Sequence, residues 1–145
     1  MADTAVQRQV ADWIRREWLP SQFNQRFTKD AVPLVPGGTF EAGAVSLDKT
    51  VVACISTSGL ATSSGKHGSG KTHKIRSDIY FLLLTPPDCK RIMVFTEKDM
   101  FEFWVKEKRN GRVPKDIQFM IAPVPGELRQ ELHLAKERSS KEVGG

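Results

Sequence analysis

The chain begins with apolar residues at helical spacing. From Val6 to Trp18 they recur every three or four positions, which predicts an amphipathic helix. Pro20 is expected to end that helix, because its ring clashes with a continued helical turn. Arginines lie between the apolar positions and are expected to form a solvated flank of this helix: Arg8, Arg15 and Arg16.

Strand-like patterns follow the first helix. Segment 31–36 contains two prolines and predicts a short edge strand, since proline has no N–H to donate to a central ladder. Segments 39–46 and 50–57 predict two strands, and the short connection 47–49 between them predicts a hairpin. The second of these strands is apolar without alternation, which is typical of a strand covered on both faces.

A helical pattern resumes at Lys71, because Ile75 and Ile79 then share one face. Pro86 is expected to end this second helix. Segment 91–95 is a short apolar run that predicts another strand. The order of strand, helix and strand predicts a parallel pair joined by a right-handed crossover.

The rest of the pattern predicts one more helix, a strand and a final helix. Segment 96–99 is similar to a capping box with Asp99 in place of Glu or Gln, and it predicts a helix start. Segment 117–122 predicts a last strand, and Pro125 predicts the first position of the final helix. The charged segment 136–145 is expected to fray.

These elements together predict one α/β (α+β) domain over residues 1–145. Its single mixed sheet of four to five strands combines an antiparallel meander with a parallel strand after a crossover helix, and helices flank the sheet. Segment 58–70 is rich in Gly, Ser and Lys, which predicts a flexible loop between the meander and the crossover helix.

Composition limits the location of the protein and the chemistry open to it. Apolar residues make up 39% and charged residues 27%, as in globular domains. No apolar run reaches the roughly 20 residues that cross a bilayer, so we expect no membrane partner. The N-terminus lacks a secretory apolar core, which favours a cytoplasmic protein, and we expect a bacterial source. Cys54 and Cys89 have neither disulfide-framework nor metal-ligand spacing, and Cys54 is expected to be a buried thiol.

Charge is distributed unevenly along the chain. The formal net charge is +5, and no Asp or Glu occurs between Thr50 and Ser77. Basic side chains accumulate in that stretch: Lys66, Lys71, Lys74 and Arg76. Such a cluster predicts a site for phosphate, either of a nucleotide or of a nucleic-acid backbone, with an ordinary solvated loop as the alternative.

The same stretch matches the phosphate-loop pattern G-x-x-x-x-G-K-[ST] from Gly65 to Thr72. Gly65 and Gly70 would let backbone N–H groups surround a phosphate, Lys71 would reach the terminal phosphates and Thr72 would hold Mg²⁺. A seven-residue insertion, 58–64, separates the preceding strand from this pattern, and no apolar run followed closely by an Asp supplies the second metal ligand. ATP or GTP binding therefore stays an alternative hypothesis.

The order of elements from Val6 to Phe95 resembles the core of the PD-(D/E)XK, or restriction-endonuclease-like, superfamily. That core consists of a helix, an antiparallel meander, a crossover helix and a parallel strand. The resemblance implies an Asp near the middle strand and a Glu/Asp-x-Lys triplet on the next strand, which together hold Mg²⁺ and activate water.

The residues at the corresponding positions of this chain differ from that pattern. The triplet positions carry Cys54, Ile55 and Ser56, and either Gly43 or Glu41 stands where the first acid belongs. Of these, only Glu41 could still bind a metal ion. The resemblance therefore implies the fold and an association with DNA, and it does not imply cleavage.

Three hypotheses follow from the sequence. The leading one is a catalytically degenerate, nuclease-like protein that binds an anionic partner, with DNA or RNA the first candidate, through Lys66, Lys71, Lys74 and Arg76. The second is an ATP- or GTP-binding protein. The third is an interaction subunit without a small-molecule site. The sequence predicts no catalytic residue, no metal ligand and no resident cofactor, and it leaves enzymatic activity and oligomeric state open.

Overall fold

The computed structural model describes residues 5–60 and 69–144. These residues form one mixed sheet with helices on both faces. The helical segments are α1 (Ala5–Trp13), a π-helical segment (Ile14–Trp18, the π segment), α2 (Leu19–Phe23), α3 (Ser69–Leu83), α4 (Lys98–Arg109) and α5 (Gly126–Gly144). The strands are β1 (Phe27–Pro33), β2 (Thr39–Ser46), β3 (Val51–Ser56), β4 (Lys90–Phe95) and β5 (Ile117–Ile121).

The order of the five strands in the sheet is the order of the strands in the chain. β1, β2 and β3 form an antiparallel meander, whereas β3, β4 and β5 run parallel to one another. α3 makes the crossover between β3 and β4. The predicted fold class, an α+β domain built on a single mixed sheet, is therefore confirmed. The predicted edge strand is β1, which begins before segment 31–36, at Phe27.

The sheet separates two apolar cores. One core lies under α1, the π segment, α2 and α5, and its central members come from β3 and β4: Val51, Ala53, Ile92 and Val94. The other core lies under α3 and α4, and it takes the alternate residues of the same two strands: Val52, Cys54, Met93 and Phe95. The central strands are thus covered on both faces, as their continuous apolar pattern predicted.

The first helical stretch does not end at Pro20, as predicted, but continues to Phe23. In the π segment the N–H of Leu19 bonds to the carbonyl of Ile14, five residues back. This wider turn lies immediately before the proline, so that Pro20 occupies the first turn of α2, where its missing N–H costs little. The stretch ends at Asn24, whose φ of 55° is left-handed.

The predicted capping box does not form at the start of α4. Glu97, rather than Thr96, is the N-cap residue, and its side chain makes no capping hydrogen bond. Because the helix begins one residue later than the pattern requires, Asp99 is out of register with the box. Its carboxylate instead accepts hydrogen bonds from the backbone N–H groups of Met100, at 2.7 Å, and of Leu60, at 3.0 Å.

The C-terminal helix is longer than predicted. Pro125 is its N-cap rather than its first residue, since the N–H of Arg129 bonds to the Pro125 carbonyl at 2.8 Å. The helical backbone reaches Gly144, and the fraying of 136–145 stays a prediction. Much of the predicted flexible loop, residues 61–68, lies outside the described residues. Within residues 5–60 and 69–144, no helix combines the length and apolarity needed to cross a bilayer.

A buried arginine connects the end of α3 to the parallel strands. Arg91, which is 8% exposed, donates from its guanidinium to the Thr85 hydroxyl at 3.1 Å and to the Thr85 carbonyl at 2.6 Å. It also donates to the carboxylate of Asp116 at 2.6 Å. These bonds hold the connection after α3 against the start of β4 and the approach to β5.

We expect Arg91→Met to lower the free energy of unfolding by about 2 kcal/mol, because it leaves the buried Thr85 carbonyl without this donor. Asp116→Asn is the matched control. The Asp116 side chain is 58% exposed, so loss of its ion pair with Arg91 should lower the free energy of unfolding by at most about 1 kcal/mol. Urea denaturation of both variants measures the difference, and equal losses would contradict the assignment of the Thr85 bonds as the stabilising ones.

Candidate functional site

A cavity of about 400 Å³ lies where β2 and β3 separate. β2 pairs with β3 at Ala44 and Val45. Gly43, which precedes Ala44 in β2, lines the cavity, and so does Cys54 of β3. α1 forms the wall on one face of the sheet and α3 forms the wall on the other. The cavity therefore occupies a fork in the sheet, closed on both sides by helices.

Among the described residues, four cationic side chains line this cavity, and each comes from a different element. They are Arg8 of α1, Arg15 of the π segment, Lys29 of β1 and Lys74 of α3. Arg8 and Arg15 share one face of the first helical stretch, and the fold brings Lys29 and Lys74 to them from distant parts of the sequence. Their convergence makes the cavity suited to a ligand with negative charge.

A β-bulge places Lys29 at the cavity. The register between β1 and β2 shifts between Thr28 and Asp30, so that Lys29 alone lies opposite two residues of β2, Gly43 and Ala44. A bulge interrupts the ladder and redirects the neighbouring side chains. Here it directs the Lys29 side chain and the Gly43 backbone toward the same space.

The π segment places Arg15 at the same position. Its Nε donates to the Gly43 carbonyl at 2.7 Å, and Nη1 donates to the carboxylate of Asp12. The Arg15 side chain is only 15% exposed. The prediction of a solvated flank is therefore wrong for Arg15, because the bulge in β2 offers it a free carbonyl. Arg8 and Arg16 are exposed, as predicted.

Each of the three carboxylates that line the cavity has a cationic partner. The ion pairs are Asp12 with Arg15, Glu41 with Lys29 at 3.3 Å, and Asp78 with Lys74 at 2.9 Å. The last of these pairs joins residues one turn apart on α3. Within the described part of the chain, no group of three or more His, Cys, Asp or Glu residues is arranged to hold a metal ion.

Two buried groups of the cavity have raised pKa values. Asp78 is 7% exposed, and burial raises the pKa of its carboxyl although the hydrogen bond from Lys74 opposes the shift. Burial, and then the nearby charge of Asp78, raises the pKa of the Cys54 thiol well above its usual range. Cys54 is thus a buried thiol, as predicted, and a protonated thiol is a poor nucleophile.

The described residues of the predicted basic cluster lie on different surfaces of the protein. Lys74 and Arg76 project from different sides of α3. Lys74 lines the cavity, whereas the guanidinium of Arg76 lies over the ring of Trp104, 5.4 Å from its centroid. Lys66 lies outside the described residues. The binding role of these cations stays a prediction, and among those described only Lys74 belongs to the cavity.

The described half of the phosphate-loop pattern lies at the start of α3. Gly70, Lys71 and Thr72 occupy the first turn, as the pattern requires, and Gly65 lies outside the described residues. Burial of Lys136 lowers the pKa of its ammonium group, and the nearby positive charge of Lys71 lowers it further. Lys136 pairs with Glu97, which follows β4, and neither Lys71 nor Lys136 lines the cavity.

Sequence reasoning missed three of the four cavity cations: Arg8, Arg15 and Lys29. For the arginines a signal was present, because four cavity residues, Arg8, Ala11, Asp12 and Arg15, follow one helical face at spacings of three, four and seven. For Lys29 no local signal existed, since the bulge that directs it depends on the register of β1 against β2.

Comparison of the chain with protein-family models, with curated proteins and with solved structures gave no significant match.

We expect Asp78→Asn to stabilise the protein increasingly as the pH rises. A carboxyl whose folded pKa is raised favours folding while it is protonated, and that contribution is lost as the pH rises through the folded pKa. Asparagine stays neutral throughout. The stability difference between variant and parent should therefore be smallest near pH 4, close to the ordinary pKa of Asp, and should grow toward neutral pH.

Urea denaturation at a series of pH values gives this difference directly. Asp88→Asn makes the same chemical change at an exposed position and is the matched control. If the stability difference between Asp78→Asn and the parent protein does not change with pH, the pKa of this carboxyl is not raised by burial.

Proposed function

We propose that this protein binds nucleic acid in the cavity between β2 and β3, without cleaving it. The observation that carries the proposal is the convergence of four cations from four elements on one cavity. Two backbone irregularities, the π segment and the bulge, contribute to that convergence, and such irregularities occur often at functional sites.

The position of the cavity supports an association with nucleic acid. It lies between the two strands on which the nuclease resemblance implies the metal-holding acids. In this chain Gly43, Cys54 and Ile55 line it, together with Glu41, which pairs with Lys29 at 3.3 Å. A site with cations at this position and without the Glu/Asp-x-Lys triplet is suited to hold a phosphate backbone, because each of its carboxylates already pairs with a cation.

The carboxylates of the cavity set the strength of binding that we expect. Because each one already pairs with a cation, an incoming phosphate competes with it for the same N–H donors. Binding should therefore be moderate and strongly dependent on salt, as is typical of contacts to the phosphate backbone.

We expect Arg8→Gln and Lys29→Gln each to weaken binding of a labelled oligonucleotide at low salt. Each change should also reduce the slope of log affinity against log salt concentration by about 1, as for loss of one phosphate contact. Lys106→Gln is the matched control, because it removes the same charge from an exposed position on α4, away from the cavity. Fluorescence anisotropy measures all three variants.

If the cavity variants and Lys106→Gln lower affinity equally, binding reflects net charge and the proposal fails. Lys74→Ala and Lys71→Ala locate the site further. Loss of affinity in Lys74→Ala alone favours the cavity, and loss in Lys71→Ala alone favours the start of α3 beside Lys136.

We expect Asp78→Asn to tighten oligonucleotide binding several-fold. It removes a negative charge from the cavity and frees the ammonium group of Lys74, a gain of about 1 kcal/mol for one screened charge contact. The same anisotropy titration measures this gain. A site that held a metal cation would show the opposite result, because it would lose a ligand.

Nucleotide binding is a second candidate, favoured by the position of Gly70, Lys71 and Thr72 in the first turn of α3. Titration of labelled ATP and GTP, with and without Mg²⁺, tests it. Mg²⁺-dependent affinity that is lost in Lys71→Ala would support this candidate. If neither nucleotide nor nucleic acid binds, the remaining hypothesis is an interaction subunit.

A further inference from the structure

We propose that the cavity takes one nucleotide of a single-stranded nucleic acid and excludes an intact duplex. The inference rests on the proposed function and specifies the class of ligand. Three features carry it: the depth of Arg15, the size of the cavity and the aromatic ring of Phe40 in its lining.

The cations of the cavity differ in depth. The side chains of Lys29 and Lys74 are 61% and 72% exposed, whereas that of Arg15 is 15% exposed. A phosphate outside the cavity can reach the two lysines, but it must enter the cavity to reach Arg15. Arginine carries five N–H donors, and the bonds to Gly43 and Asp12 leave donors for a phosphate.

The size of the cavity selects a single strand. A space of about 400 Å³ is in the range of pockets for small molecules and is suited to one nucleotide. A duplex could place a nucleotide there only by unpairing and extruding it. A single strand enters without that cost, because its bases are not held in pairs.

Phe40 supplies a surface for the base. Its ring lines the cavity and is half-buried, and it stacks on Phe81 with the centroids 4.9 Å apart and an interplanar angle of 8°. Phe81 covers one face of the ring, and we assign the other face to a base. Aromatic rings held in this way stack on bases of any sequence.

The test compares oligothymidylate with the same strand annealed to oligodeoxyadenylate, both fluorescently labelled, at equal salt. We expect the single strand to bind the intact protein at least about tenfold more tightly, since the duplex must first be opened. Phe40→Leu should remove about tenfold of the single-strand affinity, the size of one base–aromatic stack, and leave duplex binding unchanged.

Phe119→Leu is the matched control, because Phe119 is also half-buried but lies on β5, at the opposite edge of the sheet. It should bind both probes as the parent protein does. The preference of the parent protein tests the inference even if Phe40→Leu does not fold.

The possible outcomes test the single-strand inference and the proposed nucleic-acid binding separately. Duplex affinity equal to or above single-strand affinity overturns the single-strand inference and leaves nucleic-acid binding intact. Equal losses in Phe40→Leu and Phe119→Leu overturn the role of Phe40. Absence of binding to both probes overturns the proposed function itself.

Discussion

The parallel pairing of β3 with β4 is the constraint on which the rest of the molecule depends. Both strands are covered on both faces, so their side chains supply the centre of each apolar core. The pairing runs along the whole length of both strands, from Val51 opposite Lys90 to Ser56 opposite Phe95. Since parallel strands require a crossover, this ladder also fixes α3 against one face of the sheet.

The contrast between the two neighbours of β3 explains the cavity. On one side β3 is fully paired with β4, and on the other it pairs with β2 at Ala44 and Val45 before the strands separate. The hydrogen bond from Arg15 to the Gly43 carbonyl then connects the first helical stretch to the separated part of β2. The fork is therefore supported by a specific polar contact.

Arg15, Lys29 and Lys74 each pair with one carboxylate of the cavity, on a neighbouring strand or a successive helical turn. Such pairing limits the energetic cost of bringing four cations together, and it leaves each cation available to a competing anion. Asp78 is the most deeply buried of the three carboxylates, whereas Lys74, its partner, is largely exposed. The balance of charge in the cavity consequently depends most on this one carboxyl.

Local sequence determined the elements of this protein, because helical and strand-like spacing and the turn residues act over short range. The continuous apolar run of β3 indicated burial on both faces, and Ile75 and Ile79 indicated the crossover helix. The sequence pattern did not predict that the first helical stretch continues past Pro20. The π turn before the proline is visible only in the hydrogen bonds of the backbone. The sequence showed that Arg8 and Arg15 share a helical face, but tertiary structure decided that this face lines a cavity. Its cations meet because a bulge shifts β1 against β2 and because β2 leaves β3, and strand register depends on packing between segments that are far apart in the chain.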